Sequence, residues 1–324
     1  MPTISVVIPA YNAEKTILDT IKSVQQQTFS DYEIIVINDG SEDRTLELVE
    51  QVEDPRLKVF SYSNGGLSTA RNRGIARATG EYITFLDADD LWTPDKLEAQ
   101  LAALQKHPEA GVAYSWTNFM DEKGESFRAG EPIWFEGNVY VHLLSDNFIA
   151  SGSNPLIRKK AIESVGEFDT TLRSCEDWDY MLRLAARWEF VVVPKPQILY
   201  RLSLGTMSSK INVMEEAHLI VIEKAFQSIP PELKPLKNKI LANMYRIMAH
   251  LCLTRIPNAG GVGLASQKLQ TAIYLYPKIL LDKKVRVSVV KILIIRLLSP
   301  QIASRIFNYM SKIRGTRLQN SITY

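Results

Sequence analysis

The chain has two cysteines, Cys175 and Cys252, in 324 residues. That number excludes a disulfide scaffold and fits a reducing, cytosolic compartment. Its four histidines, His107, His142, His218 and His250, are scattered. With two cysteines they cannot supply a zinc site of ordinary ligand spacing, and each reads as a surface or core histidine. No run of about 18 uncharged apolar residues is present, so no transmembrane helix is expected. Met1-Pro2-Thr3 leads directly into a strand-like segment, without the basic and apolar regions of a signal peptide. There is no internal repeat, P-loop or G-x-S-x-G elbow, and Gly261-Val262-Gly263 lacks the strand that a dinucleotide loop follows. Net charge is also scarce, at +2, and by itself favours no partner. An apolar content of 46% and a charged content of 23% are ordinary for a globular protein.

The small net charge is a cancellation. Residues 1–209 hold 20 Lys+Arg and 31 Asp+Glu, a net of −11, whereas residues 210–324 hold 18 and 5, a net of +13. Texture changes at the same place, from short apolar runs alternating with helical patterns to almost continuous helix. A domain boundary is therefore expected near 205–215, separating a domain of residues 1–209 from a basic helical extension of residues 210–324.

In the first part, Ile4–Ile8, Tyr32–Ile37, Leu57–Tyr62 and Tyr82–Leu86 read as strands, rich in β-branched and aromatic residues. Helical patterns lie between them. Residues 13–27 place Ile17, Ile21 and Val24 on one face, a second helix follows Asp39-Gly40-Ser41, and a third runs from Ser68 to Ala78. Thr93-Pro94 reads as an N-cap and first helical residue, opening a helix to about His107. Val112–Met120 and Glu125–Arg128 suggest later strands. This alternation predicts an α/β fold, a mostly parallel sheet with helices on both faces.

Ligands of such sheets bind beyond the carboxyl ends of the strands. The residues there are Pro9, Ala10, Tyr11 and Glu14 after the first strand, Asp39 after the second, Gly65-Gly66 after the third and Asp87-Ala88-Asp89-Asp90 after the fourth. Asp87 and Asp89, two apart, share a face if the strand continues through them. Paired carboxylates suit Mg²⁺ or Mn²⁺, which share oxygen ligands with phosphates; a turn or helix start is the other reading. Asp90 reads as a capping or solvated residue. Asp39 is a turn residue or an acceptor for a base N–H or ribose hydroxyl. Arg71 is a solvated helix cation or a donor to a nucleobase or phosphate. Gly66 provides φ > 0 or a close backbone approach to a ligand.

In order, ISVVIPAYNAEKTI (4–17), EIIVINDGSEDRT (33–45), NGGLSTARNRGIARATGEYITFLDADD (64–90) and CEDWDYMLRLA (175–185) resemble the family-2 inverting glycosyltransferases with the GT-A fold, over about residues 3–209. The resemblance implies a nucleoside-diphosphate sugar, with UDP the expected nucleotide, lying across the strand ends. Pro9, Ala10 and Tyr11 would flank the nucleoside and Glu14 the ribose. Asp39 and Arg71 would read the base edge, beside the Gly66 loop. Asp87-Ala88-Asp89 would meet the donor, with Asp89 and Asp87 at the cation. Asp177 matches the general base, although Glu176, Asp177 and Asp179 equally suit the first turn of a helix. Ser153, Glu176 and Trp178 are implied acceptor contacts, Trp178 serving equally as packing. Ser203 stands where the family has His, which leaves Arg201 or a backbone group to take that contact. Ser208 and Ser209 close a loop that could order over the donor.

The extension reads as helices over 213–229, 236–254, 263–276 and Lys283 to Leu298. In the last, Lys284, Ser288, Lys291 and Ser299 cluster on one face with Arg296 at its edge, and Val285, Val289, Ile292 and Ile295 fill much of the rest. From Pro277 onward there are 10 Lys+Arg and one acid, Asp282. A basic amphipathic helix suggests an anionic membrane surface; closure of a small bundle, or a homo-oligomer interface, is the alternative. Nucleic-acid binding is not expected, since no matching motif accompanies the charge. The whole reads as a cytoplasmic enzyme, peripheral on the inner face of the cell membrane, that transfers a sugar to a hydroxyl of a glycan or lipid-linked acceptor. Its rivals are a catalytically silent nucleotide-sugar-binding subunit and, less well matched, a nucleotidyltransferase.

Overall fold

The structure is a computed structural model that describes residues 1–125, 127–202, 211–256 and 259–297. Ser203, Ser208, Ser209 and Ser299, and the proposed boundary at 205–210, lie outside the described residues. The chain divides into two compact units, residues 1–221 and 222–324.

The first unit is built on one sheet. Strands β1 (Ile4–Ala10), β2 (Tyr32–Asn38), β3 (Leu57–Ser61) and β4 (Tyr82–Phe85) alternate with helices α1 (Ile17–Gln25), α2 (Thr45–Glu50) and α3 (Leu67–Arg77). All four strands are parallel, in the order β3-β2-β1-β4. β1 and β2 are buried at every residue, as expected of parallel strands covered on both faces. Ile17, Ile21 and Val24 of α1 are buried on one side of that sheet, as their spacing predicts. At the opposite ends of the strands from the rim, buried Glu33 accepts hydrogen bonds from Ser5 Oγ at 2.7 Å and from Thr79 Oγ1 at 2.7 Å.

The other half of the sheet is mixed. β5 (Leu91–Trp92) precedes α4 (Lys96–Lys106). Then come β6 (Ala110–Met120), β7 (Phe127–Arg128), α5 (Tyr140–Ser145), β8 (Leu156–Arg158), α6 (Lys159–Val165), α7 (Glu176–Ala185) and β9 (Glu189–Arg201). β8 joins β4 to β6 antiparallel to both, β9 runs parallel to β6, and β5 pairs antiparallel with β9. β7 pairs with the end of β6. The helix expected to open at Thr93-Pro94 begins later. Thr93 N donates to Gln197 O at 3.0 Å, which prolongs the β5–β9 pairing, and Asp95 precedes the first helical residue.

α8 (Ile211–Ser228) carries the chain from the first unit into the second. Among the described residues the second unit is helical: α9 (Lys237–Arg255), α10 (Ala259–Leu275) and α11 (Lys283–Leu297), with short 3₁₀ turns before α9 and α11. α9 and α10 pack closely, with small residues (Ala242, Ala249, Ala265 and Ala272) among their buried positions.

Candidate functional site

The site lies at the carboxyl ends of β1, β2 and β4, where the strand order reverses about β1. Pro9 and Ala10 are the last residues of β1, paired with Ile37 and Asn38. Tyr11 follows, half exposed, and Glu14 is exposed on the same loop. That loop is fastened to the one after β2: Asn12 N donates to Ser41 Oγ at 3.1 Å, Glu42 N to Asn12 Oδ1 at 2.8 Å, and Arg44 N to Glu14 Oε2 at 3.3 Å.

Asp39 is buried and already coordinated. It accepts from Gly65 N at 3.0 Å, Gly66 N at 2.8 Å and Arg73 Nη1 at 2.7 Å. Gly66 has φ 84° and precedes α3 directly, so this position needs the conformational freedom of glycine. The cation beside Asp39 is therefore Arg73 rather than Arg71. Two residues apart on a helix, their side chains leave on nearly opposite faces.

Arg71 points inward and is 1% exposed. Its Nη2 donates to Asp87 Oδ1 at 2.8 Å and its Nη1 to Glu176 Oε1 at 2.8 Å, while Nε has no hydrogen-bond partner among the described residues. Burial works against its charge, but the carboxylates of Asp87, Glu176 and Asp177 outweigh that and hold its pKa above the usual arginine value. The expected contact with a base edge is thus replaced by a bridge between carboxylates. A Cβ on Gly152 would lie 2.5 Å from Arg71 Nη2, so the chain passes this guanidinium only because residue 152 has no side chain.

The turn after β4 is held from beneath. Asp90 is fully buried, which corrects its reading as a capping or solvated residue. Its carboxylate accepts from Ser153 Oγ at 2.6 Å, Ser151 Oγ at 3.2 Å and Arg201 N at 3.0 Å. Burial raises its pKa well above the carboxylate range, and the charges of Asp89 and Asp87 raise it further. Ser153 in turn accepts from Asp87 N at 3.0 Å, and its carbonyl accepts from Trp92 Nε1. Ser153 is itself wholly buried, so it supports the turn rather than lining an acceptor pocket. Arg201 donates from Nε to Asp89 O and from Nη1 to Glu122 O, each at 2.8 Å. Its guanidinium thus holds the turn's backbone. Ala88 is buried, with its carbonyl accepting from Thr20 Oγ1.

Asp87 and Asp89 remain partly exposed on this turn. Burial, then the neighbouring charge of Asp87, lifts the Asp89 carboxyl to about 6. Two like charges in a half-buried turn are what a divalent cation neutralises. Mg²⁺ and Mn²⁺ commonly take one or two carboxylates and complete their shell with water and phosphate oxygens. The donor set fits such an ion, although among the described residues no group of three or more His, Cys, Asp or Glu forms a closed metal cage.

Asp177 stands in the first turn of α7, partly exposed, with Oδ1 accepting from Trp178 N at 2.7 Å. Burial raises its pKa, Asp87 adds to the rise and Arg71 opposes it. Glu176 is buried, and its Oε1 accepts from Arg71. Trp178 is 3% exposed and donates from Nε1 to Leu143 O at 2.8 Å: it packs, rather than walling an acceptor site. Cys175 precedes α7 in the left-handed region, with φ 61°. Its Sγ lies 3.1 Å from Nδ1 of His218 on α8, which also contacts Met214 O at 2.7 Å. His218 is accordingly a half-buried packing histidine, and burial lowers its pKa.

A parallel half-sheet carrying a rim of carboxylates, continued by a mixed half, is the architecture of the GT-A fold. Residues 5–251 match the family described as "Glycosyltransferase like family 2", and the chain belongs to that family. It is 40% identical over 121 residues to "Putative teichuronic acid biosynthesis glycosyltransferase TuaG" of Bacillus subtilis, covering 36% of this chain and 47% of that one. It spans 33% of each of two further curated relatives, so those two proteins are considerably longer. Among solved structures, S. aureus TarS 1-349 in complex with UDP-GlcNAc superposes with a TM-score of 0.58 at 18% identity, covering 85% of this chain and 92% of that one. Mannosyltransferase PcManGT from Pyrobaculum calidifontis, in complex with GDP-Man and Mn²⁺, gives 0.60 at 20%, covering 96% and 88%. At these identities the likeness establishes the fold.

Proposed function

We propose that the protein is an inverting glycosyltransferase that passes one sugar from a nucleoside diphosphate, most simply UDP, to a hydroxyl of a glycan or lipid-linked acceptor. The observation that carries this reading is the Arg71 bridge. It joins the partly exposed Asp87 at the β4 turn to buried Glu176, the immediate neighbour of Asp177, so one donor carboxylate is tied to the helix start that carries the base candidate. The UDP-GlcNAc held by TarS and the GDP-Man and Mn²⁺ held by PcManGT support a nucleotide-sugar donor. The name of TuaG, a putative teichuronic acid biosynthesis glycosyltransferase, supports a role in glycan assembly.

In this reading the loop after β1 and the Asp39–Gly66 turn bind the nucleoside. Asp89 and Asp87 would hold Mn²⁺ or Mg²⁺, which neutralises charge on the departing diphosphate. The Asp177 carboxylate takes the proton of the acceptor hydroxyl. That oxygen forms a bond to the anomeric carbon as the bond to the diphosphate oxygen breaks on the opposite face. Nucleoside diphosphate leaves with the electron pair, and Asp177 ends protonated. A single base suffices, and a carboxyl raised above its ordinary pKa is the better base. A thermal-shift screen of UDP and GDP sugars with Mn²⁺ tests the donor. A rise in melting temperature with one nucleotide class is expected, and no shift with any of them would overturn the reading.

A further inference from the structure

α11 is not the amphipathic helix that the sequence pattern suggested: its cations and its apolar residues are both distributed round the helix. Val285, Ser288 and Ile292, at i, i+3 and i+7, are buried. Ser288 thus faces inward, not outward with Lys284 and Lys291 as the sequence pattern suggested. At 100° per residue, Lys283, Arg286, Val290 and Leu293 fall within an arc of about 80° on the other side. All four are exposed, Val290 by 50% and Leu293 by 51%. The segment just before α11 repeats the mixture: Leu281 is 78% exposed, Leu280 and Lys278 are exposed, and Tyr274 at the end of α10 is 86% exposed. Single exposed apolar residues are ordinary, but this many within twenty residues mark a surface that meets something.

Charge selects the occupant. Residues 222–324 carry 17 Lys+Arg against Glu223, Glu232 and Asp282. A second copy docked through the same face would present the same positive surface and be repelled. Nucleic acid would satisfy the cations but leave Val290, Leu293 and Leu281 in water. An anionic lipid surface satisfies both, taking the apolar side chains at the acyl boundary and the cations at the headgroups. We propose that the outward face of α11, with the turn before it, binds anionic lipid. No described helix is long and apolar enough to cross a membrane, so this element would lie on the surface.

The test is co-sedimentation of the full chain with vesicles of phosphatidylcholine alone or with phosphatidylglycerol added. The chain should bind only the anionic vesicles, and less well at high salt. Val290→Ser with Leu293→Ser, and separately Lys283→Gln with Arg286→Gln, should each weaken binding by at least about tenfold, with circular dichroism and nucleotide binding unchanged. Undiminished binding by both double variants, or equal binding to neutral vesicles, would overturn the proposal. So would a dimer in gel filtration that Val290→Ser with Leu293→Ser dissolves, or retention on DNA in place of vesicles. Vesicle binding needs no turnover, so its failure would leave the transfer reading standing.

Discussion

Arg71 Nη2 lies 2.8 Å from Asp87 Oδ1 across a gap of 16 residues, and the other arm of the same guanidinium reaches Glu176, 105 residues away. Removing this cation leaves two carboxylates facing each other with no counter-charge. Arg71→Met should destabilise the fold by about 3–5 kcal/mol in urea unfolding. Arg71→Lys keeps the charge but not the fork, and one ammonium cannot serve both acids in the same geometry. It should fold better than Arg71→Met and still lose most transferase activity; full turnover in Arg71→Lys would show that the bridge is not needed.

Asp89 predicts a pH dependence. Its carboxyl titrates at about 6 in the absence of a cation, above the ordinary carboxylate value of about 3.9. Cation binding requires the ionised form, so calorimetric affinity for UDP with Mn²⁺ should fall as pH drops through about 6 and level off above about 7. The stability effect has the opposite sense. A raised folded-state pKa contributes stability that is present below the unfolded value and lost as pH rises through the folded one. Metal-free Asp89→Asn should therefore melt higher than the parent at neutral pH, with the difference closing near pH 4, and should bind no donor.

Asp90 touches no proposed ligand, yet three donors converge on it from the Ser151–Ser153 loop and from β9. Asp90→Ala should lower Mn²⁺-dependent UDP affinity by about 10–100-fold, the usual cost of losing a group that orients a ligand. Ser153→Ala, which removes one of the three, should cost less. Equal affinities in all three proteins, measured by calorimetry with circular dichroism as the fold control, would contradict this role.

Lys96 is fully buried, with Nζ 2.7 Å from Thr84 Oγ1 and 3.8 Å from the centre of the Trp92 ring. Burial pushes its pKa well down. Between that lowered value and the unfolded value of about 10.4 the unfolded chain binds the extra proton, so stability should rise with pH through this window. Lys96→Met should remove that rise; an unchanged pH profile of the urea midpoint would show the amine to be charged in the folded state.

Much of this was legible in the sequence. β1 to β4 are rich in β-branched and aromatic residues, and their alternation with helical patterns gives the parallel half-sheet and the rim where Asp39, Asp87 and Asp89 stand. β9 was hidden because Pro194 and Pro196 interrupt it. The sheet accepts them through register shifts around Trp116, which pairs with Pro196. β8 and β5, of three and two residues, are too short to show a period. In the site, the period of α3 separates Arg71 from Arg73 but does not tell which side faces the core. Asp90 shows the same limit. Its partners lie 61, 63 and 111 residues away, and an acid at a turn looks the same whether solvated or buried.

The central claim is that Asp177 removes the acceptor proton while the β4 turn holds the donor. Asp177→Asn keeps the shape of the side chain and removes its basicity. Single-turnover transfer and calorimetric UDP–Mn²⁺ binding should be measured on the same preparation. The account predicts donor affinity within about threefold of the parent and transfer reduced by at least about 10²–10⁴-fold, the range of a lost general base. Transfer at the parental rate in Asp177→Asn would contradict it.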